Sequence, residues 1–190
     1  MALHVLKLTF LLIYLVLLPG KTYAESKDAW AAWKQPGVHA IMRHATAPGV
    51  GDPENFALGQ CNTQRNLSNA GRQEARRLGQ TIRQQGIELT AVYSSQWCRC
   101  MHTAEELQLG KVQELPALNS FFQGRGSSSA QTTALKKHIA ALGQNEKVLY
   151  VSHQVNTTAL TGVYPDSGQI VLFRLDRNGE IEVVGKINTD

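Results

Sequence analysis

The chain has 190 residues, with 19 lysines and arginines against 15 acidic residues and a formal net charge of +4. That length suits one domain with a real core rather than several domains. The charge excess is too small to argue for a nucleic-acid binder, and no basic stripe interleaved with aromatics occurs.

Lys7 gives a short basic start, residues 8–18 are apolar, and Pro19 and Gly20 break the run before Thr22-Tyr23-Ala24. This is the pattern of a cleavable signal peptide. The apolar run is shorter than the roughly 20 residues that span a bilayer. Residues 1–24 are therefore expected to be removed, leaving one domain over residues 25–190 in the periplasm or outside the cell. No stable membrane insertion is expected after cleavage. The removed segment holds Lys7 and Lys21 and no acid, so 17 basic residues face 15 acidic ones in the remainder, a net charge of +2.

Along the chain, helical and extended patterns alternate. Residues 30–33 read as a short helix, and residues 38–44 as a buried strand ending in Arg43-His44. Residues 48–66 form a long polar loop, a length often tied to function. Ser68 is a good N-cap for a helix in which Ala75, Leu78 and Ile82 recur at helical spacing, with Gly86 placed to end it. A strand at 91–95 leads into a helix over 96–107, and 110–118 is a connection with a short extended piece. Residues 119–129 read as a second polar loop, with the stretch 123–129 a plain surface linker. Then come a helix at 130–142, a strand at 147–152 leading to His153, and a short helix at 155–162. Residues 169–176 and 181–187 read as a hairpin turned at Asn178-Gly179. This order predicts a three-layer α/β/α domain: a mostly parallel central sheet, helices on both faces and a C-terminal hairpin.

The chain has three cysteines, and export implies an oxidising compartment. Cys98 and Cys100 are too close in sequence to pair easily with each other. Cys61 with Cys98, or Cys61 with Cys100, is the expected bridge. Either would tie the first long loop to the segment carrying Arg99.

In open parallel sheets, sites form beyond the carboxyl ends of strands. Arg43, His44, Arg99 and His153 all follow such ends. Two guanidiniums and two imidazoles suit a tetrahedral phosphate dianion. His44, neutral, would attack phosphorus, and nearby guanidiniums favour its neutral form. Arg43 and Arg99 would clamp phosphoryl oxygens, aided by the helix N-terminus at Arg99. His153, as a cation, would donate a hydrogen bond to the same group. Arg65 and Asn156 are further candidates for the phosphate pocket.

These residues fall in motifs that resemble the histidine phosphatase (phosphoglycerate mutase-like) superfamily. Met42-Arg43-His44-Ala45 is similar to its Arg-His-Gly motif. Leu67-Ser68, Gly71-Arg72 and Glu74-Ala75 resemble its helix after the first loop. Ser94-Ser95-Gln96-Trp97-Cys98-Arg99 with Thr103-Ala104 resembles its second-arginine motif, and Val151-Ser152-His153 its second-histidine motif. The resemblance runs over residues 38–173 with the motifs in the family's order. It implies a phosphatase working through a phosphohistidine on His44, with Arg43, Arg99 and His153 in the phosphate pocket. It implies no metal and no other cofactor, and a small phosphorylated substrate as partner.

Two departures stand out. Ala45 replaces a glycine. Where relatives carry an acidic proton donor, this chain has the stretch Leu118-Asn119-Ser120, or Gln154 after the second histidine. Glu114, Glu105 and Glu106 are the nearest carboxylates in sequence. A missing acid favours substrates with good leaving groups, such as phosphoramidates, because positioned acids contribute about 10²–10⁴-fold. Export points to an envelope phosphosugar, lipopolysaccharide core phosphate included. Two competing readings are a periplasmic metal-binding protein, using Cys61, Cys98, Cys100, His102, His44 and His153, and a phosphate-binding module without catalysis.

Overall fold

The computed structural model describes residues 26–189, so the expected signal segment, residues 1–24, lies outside the described residues. Among the described residues, six strands form one sheet: β1 (His39–Arg43), β2 (Ala91–Ser94), β3 (Val112–Glu114), β4 (Val148–Ser152), β5 (Ile170–Leu175) and β6 (Ile181–Ile187). Their order is β3-β2-β4-β1-β5-β6. The β1–β4, β2–β4 and β2–β3 ladders are parallel, whereas β1–β5 and β5–β6 are antiparallel. The mostly parallel sheet and the C-terminal hairpin are both as expected.

Among the described residues, five α-helices cover this sheet: α1 (Ser26–Lys34), α2 (Asn69–Gln84), α3 (Cys98–Leu107), α4 (Ser128–Ala140) and α5 (Gln154–Thr161). Side-chain alternation along the strands sorts the core into two layers. Ala40 and Met42 of β1, with Leu149 and Val151 of β4, pack with Trp33, Leu78, Ile82 and Leu107 from α1, α2 and α3. Ile41, Val148 and Tyr150 point the other way and pack with Leu135 and Ile139 of α4 and Leu160 of α5. Every residue of β4 is buried, which is why it reads as an unbroken apolar run.

Several boundaries follow from local chemistry. The Ser68 hydroxyl accepts from the Gly71 amide at 3.0 Å and starts α2. Gly71 is needed for a further reason: a Cβ there would run into the Thr46 carbonyl. Helix α2 is thereby seated directly on the loop that leaves β1. Helix α3 begins at Cys98, because Trp97 is extended as its N-cap. Helix α4 begins at Ser128, two residues earlier than expected. The Ser127 hydroxyl accepts from the Ala130 amide, so this serine caps a helix and is not an idle linker residue. No helix among the described residues is long and apolar enough to cross a membrane.

Candidate active site

The alternation that sorts the core also builds the site. Ala40, Met42 and then His44 point to the α3 side of the sheet, and so do Leu149, Val151 and then His153. Arg43 lies opposite Ser152 in the parallel β1–β4 register, so the next residues, His44 and His153, come opposite one another. The His44 amide donates to the Ser152 carbonyl at 2.9 Å, extending the ladder by one step. The two imidazole rings end 5.7 Å apart at 73°. Arg43, on the opposite parity, reaches around the strand end, and its Nη1 donates to the Pro165 carbonyl at 3.3 Å.

Arg99 enters from the first turn of α3 and is 3 % exposed. Its Nη2 donates to His153 Nδ1 at 3.3 Å. Its Nη1 donates to the Asp52 carboxylate at 2.7 Å, in an ion pair with both side chains almost fully buried. Arg43, His44, Arg65, Arg99 and His153 together line a pocket of about 180 Å³, whose wall includes no carboxylate. The Nε atoms of Arg43 and Arg99 are buried without a hydrogen-bond partner among the described residues. A buried donor without an acceptor is costly.

The imidazoles are held in defined states. A carbonyl only accepts, so the 2.8 Å contact from His44 Nδ1 to the Ala45 carbonyl puts the proton on Nδ1. The Nε2 lone pair is then free. Burial, followed by the charge of Arg99, lowers the His44 pKa from 6.5 to about 3, against the pull of the Ala45 carbonyl. Burial and the same guanidinium drive His153 well below its ordinary value as well. A guanidinium only donates, so His153 Nδ1 accepts from Arg99, and its Nε2 proton goes to the Ser95 hydroxyl at 2.9 Å. Ser95 in turn donates to Asn119 Oδ1. The cationic His153 expected from sequence is thus replaced by a neutral one, because burial and Arg99 both oppose its charge.

Other sequence candidates fall elsewhere. Arg65 lines the pocket, but its Nε donates to the Gly51 carbonyl and its Nη1 to the Ala47 carbonyl, so it pins the loop. Burial first, then Arg99, lowers its pKa to about 10, which leaves it charged at neutral pH. Asn156 does not line the pocket. It is buried in the first turn of α5, where its Nδ2 donates to the Asn119 carbonyl. The first amide of α3, that of Cys98, is taken by Gln64 Oε1 at 2.9 Å and is not free to meet an anion. Helix α5 starts at the pocket instead, with His153 as its N-cap and Gln154 and Val155 in the wall.

Cys61 and Cys98 form the disulfide, with Cα atoms 5.6 Å apart. Cys100 is free and buried, and burial pushes its thiol up to about 12. Among the described residues no group of three or more His, Cys, Asp or Glu side chains could hold a metal. His102 is instead engaged with Arg72. The metal-binding reading therefore lacks a donor set. None of the carboxylates considered as proton donors lines the pocket: Glu114 accepts from Gln96, Glu106 is held by Arg72 and Arg76, and Glu105 is exposed.

Asp52 is the residue that sequence reasoning missed. It also accepts from the Arg65 amide at 3.0 Å and from Trp97 Nε1 at 3.1 Å. Burial alone would raise its pKa, but the hydrogen bonds and charge of Arg99 prevail and hold the carboxyl below its usual range. It is an ionised anchor and not a proton donor.

Two imidazoles and three guanidiniums thus line one pocket at the carboxyl ends of the parallel strands, and the neutral His44 presents a free lone pair there. Residues 40–125 match the model of the histidine phosphatase superfamily (branch 1). Solved structures share its fold. The protein histidine phosphatase SixA complexed with tungstate is 21% identical with a TM-score of 0.58, over 80% of this chain and 97% of that one. YhfR from Bacillus stearothermophilus is 19% identical with a TM-score of 0.61, over 80% and 98%. A phosphoserine phosphatase mutant from Entamoeba histolytica in complex with phosphoserine is 16% identical with a TM-score of 0.60, over 80% and 98%. No curated protein matches the chain.

Proposed function

We propose that this phosphatase hydrolyses a phosphate ester or phosphoramidate in two steps through a phosphohistidine on His44. The single observation that carries the proposal is the meeting, in one pocket wall, of a buried neutral imidazole whose Nε2 is unengaged with the guanidinium side chains of Arg43 and Arg99. In the first step the His44 Nε2 lone pair forms a bond to phosphorus while the bond to the leaving oxygen or nitrogen breaks. Arg43 and Arg99 neutralise the charge that gathers on the phosphoryl oxygens, an interaction strongest in the transition state. A proton passes from solvent to the leaving group. Water then attacks the phosphohistidine and releases a proton to solvent, the P–N bond breaks, and phosphate leaves as the Nε2 lone pair returns.

With no carboxylic acid in the pocket wall, substrates with good leaving groups are favoured. The likeness to SixA, a protein histidine phosphatase, is consistent with a phosphoramidate. The signal-like segment at residues 1–24 argues for export, and with it for an envelope phosphosugar such as lipopolysaccharide core phosphate. Replacement of His44 by alanine tests the catalytic role. His44→Ala is expected to abolish turnover of p-nitrophenyl phosphate while the protein stays folded. Equal rates in variant and wild type would reject the catalytic assignment of His44, and no turnover by the wild type would leave a phosphate-binding module without catalysis.

A further inference from the structure

Among the described residues, four large apolar side chains are exposed: Val50, Leu58, Phe122 and Tyr164. Single exposed apolar residues are ordinary. Here three of the four, Val50, Phe122 and Tyr164, line the phosphoryl pocket. They come from three separate segments: the loop after β1, the turn before α4 and the connection from α5 to β5.

The backbone is shaped to hold them there. Val50 is 86% exposed and lies between Gly49 at φ 88° and Gly51 at φ 71°, both left-handed. Phe122 is followed by Gln123 at φ 56°, a conformation that a residue with a Cβ seldom adopts. A Cβ on Gly51 would sit 2.6 Å from Gln123 Oε1, so these two segments abut. Tyr164 is 69% exposed and precedes Pro165, whose carbonyl accepts from Arg43. Tyr164 thus adjoins a residue held by Arg43, and Val50 one held by Arg65.

Charge is confined to that floor. The charged residues in the wall are Arg43, Arg65 and Arg99, and Arg65 is partly spent on the Gly51 and Ala47 carbonyls. Among the described residues, no acid lies in the pocket wall to receive a substrate ammonium group. We infer that the pocket selects phosphate monoesters whose alcohol carries an uncharged ring with an apolar face, laid against Phe122, Tyr164 and Val50. An aromatic ring, or the C–H face of a pyranose, meets this description, because ring faces pack well on aromatic side chains. An amino-acid alcohol such as serine would bring an ammonium group to an apolar rim and lose its hydration without a partner. A pocket of about 180 Å³ leaves room for one such ring beside the phosphoryl group. The inference rests on the phosphoryl site proposed above.

Calorimetric titration of the protein with two non-hydrolysable phosphonates tests it. 2-Phenylethylphosphonate is expected to bind at least tenfold more tightly than ethylphosphonate. Tyr164→Ala and Phe122→Ala should each reduce that ratio to threefold or less, while Tyr164→Phe keeps it. These side chains are exposed, so folding does not depend on them. Equal affinities in the wild type, or a ratio that survives in both alanine variants, would overturn the inference. Failure of both phosphonates to bind would overturn the phosphoryl site as well. Tenfold selective binding without turnover of any ester would sink only the hydrolytic reading and leave the ring preference standing.

Discussion

His44 is kept neutral by burial, acting together with the charge of Arg99. The same burial affects His39, whose pKa is lowered from 6.5 to about 4 by burial and then by Lys147. A stability consequence follows with a definite sign. The unfolded chain protonates these histidines near 6.5, whereas the folded chain does so near 4 and 3. Between those values only the unfolded state takes up the proton, so stability falls as pH drops below about 6.5. The slope is at most about 1.4 kcal/mol per pH unit for each histidine. A urea midpoint at pH 5 below that at pH 7 is the expected result, and an unchanged midpoint would contradict it. Asp52 makes a second case at this scale. Asp52→Ala leaves Arg99 buried without its counter-ion, a loss of about 3–5 kcal/mol where one partner of a buried pair is removed. Chemical denaturation should show that loss, and KM for p-nitrophenyl phosphate should rise because Arg99 is no longer fixed. Nothing in the sequence marks Asp52, because it sits in an aperiodic polar loop and its partner lies 47 positions away.

At the scale of elements, the loop after β1 is held at several points. The disulfide fastens Cys61 to the start of α3, Arg65 donates to the Gly51 and Ala47 carbonyls, and α2 packs its Gly71 against Thr46. The bridge closes a separation of 37 residues, for which a stabilisation of about 2–4 kcal/mol is typical. Cys61→Ser should lower the free energy of unfolding by that amount. Reductant should do the same to the wild type and have no further effect on the variant. Gly71→Ala forces a methyl group against a carbonyl at the site where the His44 loop is seated. About 1–3 kcal/mol of destabilisation is expected for such overpacking, together with a lower kcat. The choice of Cys98 over Cys100 was not readable in advance, because it depends on where α3 begins. With the helix starting at Cys98, that residue faces the loop, while Cys100 turns inward to the Ser152 carbonyl. The capping role of Ser127 was hidden for a similar reason, since a serine-rich stretch looks the same whether or not one hydroxyl meets a helix amide.

Taken as a whole molecule, the site was legible wherever it continued a regular element. His44 and His153 extend the alternation of two neighbouring parallel strands, so apolar patterning alone brings them to one face and one level. Arg43 and Arg99 were legible from the ends of β1 and β2, and the topology draws all four around one pocket. The protonation of His153, the loop-pinning role of Arg65 and the burial of Asn156 depend on three-dimensional neighbours that no local pattern encodes. The central claim is a covalent phosphoryl intermediate on one named atom. Rapid acid-free quenching of the enzyme during turnover of p-nitrophenyl phosphate, followed by peptide mass spectrometry and phosphorus NMR, tests it most directly. The account predicts one phosphoryl group per chain, bonded to Nε2 of His44 and absent from His44→Ala. Sustained turnover with no phosphorylated histidine, or with the label on another side chain, would contradict it.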